Sequence, residues 1–83
     1  MRIFEHNKRI VNVMLEQNQY RNRLRVILAD KEITNHWLAE HMGVTDMTIS
    51  RWSTNKVQPS MSQFVTISKL LDVELKDLIE DHE

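Results

Sequence analysis

One Gly and one Pro in a chain of 83 residues leave almost no material for the tight turns of a sheet. Strands in an all-β domain need turn punctuation about every 8–12 residues, so this chain is expected to be helical. Its length allows one small domain. A composition of 41% hydrophobic and 28% charged residues places it with globular rather than disordered chains. A core this small must take in most of the large apolar residues. The absence of Cys excludes disulfides, Cys-ligated zinc and thiol catalysis, and it fits a reducing, cytoplasmic setting. The longest apolar stretch, Ile10 to Leu15, is interrupted by Asn12. It falls far short of the roughly 18 apolar residues that suggest a membrane span.

Apolar spacing divides the chain into helices. Between Tyr20 and Lys31, the residues Leu24, Ile27 and Leu28 stand at i, i+3, i+4 and predict a first helix, with Arg21, Arg23 and Arg25 largely off its apolar face. Thr34 is an N-cap type before Trp37, Leu38, Ala39 and Met42, and Gly43 is suited to end that second helix. Thr45 caps a third, with Asp46 in the first turn where negative charge suits the helix dipole and Ile49 and Trp52 as its apolar pair. Ser53 to Pro59 reads as a loop. Ser60 opens a fourth helix carrying Met61, Phe64, Val65, Ile67, Leu70 and Leu71, and Leu75, Leu78 and Ile79 make a short fifth. The helical domain is drawn over 20–80, with an acidic tail at 81–83. For residues 1–19 the β-branched Ile10, Val11 and Val13 favour a strand, while Ile10, Val13 and Met14 also fit helical spacing. A flexible arm, a β-arm and a helical extension all stay open there.

The informative stretch is NHWLAEHMGVTDMTISRWST, Asn35 to Thr54. Two short helices joined by the turn Gly43-Val44-Thr45 form a helix-turn-helix. Ala39 is small enough for a close helix crossing, and Gly43 permits a sharp turn. Leu38, Met42, Val44, Ile49 and Trp52 would point inward and fix the angle between the helices. These residues, with Asn22-Arg23-Leu24-Arg25 before them and Gln58-Pro59-Ser60, Phe64, Ile67, Leu71, Val73 and Leu78 after them, resemble the phage-repressor-like (Cro/repressor, XRE) helix-turn-helix family over about residues 21–80.

That resemblance implies a compact all-α, five-helix, lambda-repressor-like fold and sequence-specific binding to double-stranded DNA, with the third helix, about 46–53, in the major groove. Carried over by position, the base-reading residues are Asp46, Met47, Ser50 and Arg51. Arg51 can donate a bidentate pair to guanine, Ser50 can donate or accept, and Met47 can meet a thymine methyl. Asp46 could accept from cytosine, although phosphates repel a carboxylate, and it also serves as a helix-start residue. Phosphate contacts fall to Asn35 and His36 at the start of the second helix, to Thr45, and to Asn55 and Lys56 in the loop. Glu32, Asn55 and Asp72 stand where the family often has Gly, so left-handed backbone is expected at each.

Other readings of the same residues are weaker. His36 and His41 lie five apart and diverge on a helix, so no metal site is expected. Neither a Gly-rich phosphate loop nor a Ser with a base and orienter is present, so no enzyme and no cofactor are expected. The rival of another class is a protein-interaction module, such as the antitoxin of a toxin–antitoxin pair, with Trp37, Met47 and the N-terminal Phe4, Ile10 and Val13 as apolar surface. A transcriptional repressor acting as a homodimer on an operator is the leading expectation, the dimer surface coming from the fifth helix or the N-terminal segment. The charge does not exclude it when divided, +1 over residues 1–19, +2 over 20–58 and -4 over 59–83, although a monomer with so little positive charge should bind non-specific DNA weakly. The near-neutral total therefore hides a mildly basic DNA-facing half.

Overall fold

The computed structural model describes residues 20–81. Five helices account for most of this span: α1 (Leu24–Lys31), α2 (Asn35–Met42), α3 (Asp46–Ser53), α4 (Met61–Leu71) and α5 (Leu75–Leu78). Their starts are set by short polar side chains. Thr34 accepts a hydrogen bond from Trp37 N at 3.0 Å and Thr45 from Thr48 N at 3.1 Å. Ser60 and Gln63 exchange bonds in a capping box, at 3.2 Å to Gln63 N and 2.7 Å from Ser60 N. Three helices end on left-handed residues: Glu32 at φ 58°, Gly43 at φ 70° and Asp72 at φ 57°. The turn between α2 and α3 is the expected Gly43-Val44-Thr45, with Val44 N donating to Ala39 O at 3.0 Å.

Leu24, Ile27, Leu28, Leu38, Ala39, Ile49, Trp52, Phe64, Ile67, Leu71, Leu75, Leu78 and Ile79 form one buried cluster, with Met42 and Val44 half-buried against it. Every helix contributes, so no helix pair is independent of the others. Fully burying a Leu or Ile side chain contributes about 1.5–3 kcal/mol.

The first and last helices are shorter than in the sequence reading. Tyr20–Asn22 is a strand, β1, rather than the first turn of α1, and Ile79–Asp81 is a second strand, β2. The strands pair antiparallel, with Tyr20 opposite Asp81, Arg21 opposite Glu80 and Asn22 opposite Ile79. Two local causes stop the helices here. Asn22 Oδ1 accepts from Leu24 N at 3.0 Å, so the first N–H of α1 is satisfied by a side chain rather than by a preceding turn. Ile79, β-branched, leaves α5 with extended dihedrals of φ -112° and ψ 130°. Arg23 N then donates to Leu78 O at 2.8 Å and joins the two ends. The three alternatives for residues 1–19, and the last two residues of the acidic tail, lie outside the described residues.

Candidate nucleic-acid interface

α3 has two unlike sides. Ile49, Trp52 and Ser53 are buried, while Asp46, Met47, Ser50, Arg51 and Thr54 are exposed. The exposed positions recur at i, i+1, i+4, i+5 and i+8, which makes one stripe along a helix. All four base-reading candidates lie in it, and Met47 is 63% exposed although apolar. The side chains available on this stripe offer a bidentate donor, a hydroxyl, a thioether and a carboxylate, a mixed set suited to groove edges.

The starts of α2 and α3 meet on this surface. His36 Nδ1 lies 3.1 and 3.2 Å from the two carboxylate oxygens of Asp46, and His36 Nε2 lies 3.6 Å from Glu40 Oε2. The hydrogen bond to Asp46, the charge of Asp46 and the charge of Glu40 together raise the His36 pKa above its ordinary value. The Asp46 carboxylate, which phosphates would repel, therefore has a neighbour whose protonated form it favours. Thr34 and Thr45 take the N–H groups of Trp37 and Thr48, which leaves the N–H groups of Asn35, His36, Asp46 and Met47 without acceptors among the described residues. Outward N–H groups at helix starts suit phosphate oxygens. Nearby, the rings of Trp37 and His41 stack at 3.9 Å, and His41 Nδ1 lies 2.8 Å from Trp37 O.

Asn55 has a different place from the phosphate contact expected of it. Its backbone is left-handed, φ 63°, as the sequence suggests, but its side chain is turned inward. Oδ1 accepts from Asn22 N at 2.8 Å and from Gln58 Nε2 at 2.8 Å, and Nδ2 donates to Asn22 O at 3.2 Å. Asn22 Nδ2 in turn donates to Trp52 O and to Gln58 Oε1, both at 2.7 Å. The Asn55 carboxamide thus holds the loop to β1, and Lys56, exposed beside it, is the loop side chain available for phosphate. Sequence spacing gives Asn22 no role beyond the start of α1. The signals for its buried role are its place just before the apolar Leu24 face and the pairing of Asn55 with Gln58 in a polar loop.

The sequence profile of the Cro/C1-type HTH DNA-binding domain matches residues 23–83. The chain belongs to the Cro/C1-type helix-turn-helix family. This Cro/C1-type chain is 29% identical over 65 residues to the HTH-type transcriptional activator BcrR of Enterococcus faecalis, a match covering 78% of this chain and 32% of BcrR. It thus spans about a third of the length of that curated relative. A crystal structure of a Bacteroides fragilis protein, assigned a DNA-binding role, superimposes with a TM-score of 0.72 at 49% identity, covering 74% of this chain and 98% of that one. The Cro/C1-type assignment accounts for the α2–turn–α3 unit and for the exposed stripe on α3.

Proposed function

We propose that the chain binds duplex DNA in a sequence-specific manner and regulates transcription, with α3 in the major groove. The exposed α3 stripe over a buried apolar side carries this reading. Arg51 pairs with guanine, Ser50 and Met47 read adjoining positions, and Asp46 accepts from an exocyclic amine while His36 offsets its charge. Asn35, His36, Thr45 and Lys56 contact phosphates on either side and set the register of the helix. Occupancy of an operator by a homodimer would exclude other proteins from that site, which is repression. The relative from Enterococcus faecalis is named an activator, so the direction of regulation is part of the test.

Selection of bound duplexes from a random pool tests the reading. A palindromic consensus with half-sites about one helical turn apart is expected, with affinity that falls steeply as salt rises. A reporter driven by that consensus then gives the direction of regulation. No enrichment at low salt would overturn the proposal in favour of the protein-interaction module.

A further inference from the structure

Beside the C-terminal end of α3 lies an open groove of about 330 Å³. Arg21, Arg23 and Arg25 line it from β1 and the start of α1, and Ser53 and Asn55 line it from the end of α3 and the loop that follows. Neither Arg21 nor Arg25 forms an ion pair among the described residues, and both are exposed. Arg23 already interacts elsewhere in the chain.

The lining of this groove carries only positive charge, for a reason visible in the chain. No carboxylate occurs from Tyr20 to Ala29 or from Met47 to Leu71, the two segments that meet here. Those segments hold Arg21, Arg23, Arg25, Arg51, Lys56 and Lys69. The acidic residues of the described span fall outside both segments, at 30–46 and 72–81. A chain of net charge -1 thus keeps two acid-free segments that meet beside the end of α3, and the acid opposite Arg21 across the ribbon is Glu80 of β2.

We infer that this groove is a second phosphate-binding element, in which Arg21 and Arg25 grip the duplex backbone past the end of α3. The inference rests on the DNA-binding reading and extends its footprint to β1 and α1. Guanidinium groups suit phosphate oxygens because their planar N–H forks can donate two bonds at once. The partner is the phosphodiester backbone of duplex DNA rather than free phosphate, because the groove is open and reaches the C-terminal end of α3 at Ser53.

The test uses the full chain and the Arg21→Gln, Arg25→Gln double variant. Dissociation constants are measured against salt on the selected duplex and on a random duplex of equal length. The double variant should lose affinity by the same factor on both, and its salt slope should fall by about 0.9 for each phosphate no longer neutralised. Lys at both positions should restore most of the slope. Thermal melting should match the parent, since both side chains are exposed. An unchanged slope with parental duplex affinity overturns the inference while leaving the DNA reading intact. Saturable binding of inorganic phosphate alongside an unchanged slope also overturns it, in favour of a free anion. If the parent binds no duplex at all, the DNA reading fails first and takes the inference with it.

Discussion

The two ends of α3 carry similar polar side chains and use them in opposite ways. At the N-terminal end, Thr45, Asp46 and His36 stand in solvent, each with spare hydrogen-bonding capacity. At the C-terminal end, Asn22, Asn55 and Gln58 close on one another and on Trp52 O, with Asn22 only 5% exposed. No buried side-chain polar atom lacks a partner among the described residues. The difference shows that burial, and not residue type, decides whether a polar side chain stays open to an incoming ligand or holds the fold. A solvated group can exchange water for DNA, whereas a buried one must keep its partners.

The contrast is broken most forcefully at the holding end. Asn22→Ala would leave Trp52 O, Gln58 Oε1 and Leu24 N short of partners and should lower stability by about 2–4 kcal/mol, since each unsatisfied buried group costs about 1–3. Thermal melting measures the drop, and the base preference of the folded fraction should stay the same. At the contacting stripe the outcome is reversed. Arg51→Ala should leave melting unchanged and lose about 1–3 kcal/mol at one base position, seen as relaxed preference there. A uniform loss on all sequences would make Arg51 a phosphate contact.

Smaller changes sharpen the boundary between the two ends. Thr45→Ala removes the cap of α3 and should cost about 1 kcal/mol of stability, read by thermal melting. The smallest effect is set by pH. The raised His36 pKa means that the stabilising pair with Asp46 is fully present below the ordinary imidazole value of ~6.5 and is lost as pH rises through the raised value. If α3 enters the major groove as proposed, Asp46 and Glu40 would face DNA without compensation above that value, so affinity should also fall. His36→Gln should flatten the binding curve across this window, as measured by fluorescence anisotropy.

Much of the fold is legible in the sequence because helix boundaries depend on local signals. Thr34, Thr45 and Ser60 are caps whose partners lie three residues on, and Gly43 needs no context to turn. The exposed stripe of α3 follows from the burial of Ile49 and Trp52. What escapes is non-local. The Asn22–Asn55 bonds span 33 residues, and the ribbon joins residues about 60 apart, beyond the reach of any periodicity. The fate of Asn55 depends on those bonds. Its left-handed backbone is visible as a substitution for Gly, but the direction of its side chain is set by Asn22.

The ribbon also has a mechanical side. Because Tyr20 and Asp81 are paired, tension drawing residues 20 and 81 apart would open the strands like a zipper, one pair at a time. Tyr20–Asp81 parts first, then Arg21–Glu80, and the last pair, Asn22–Ile79, ends on the residue whose side chain holds the carbonyl of Trp52 in α3. A load applied at residues 20 and 81 is therefore delivered to the C-terminal end of α3.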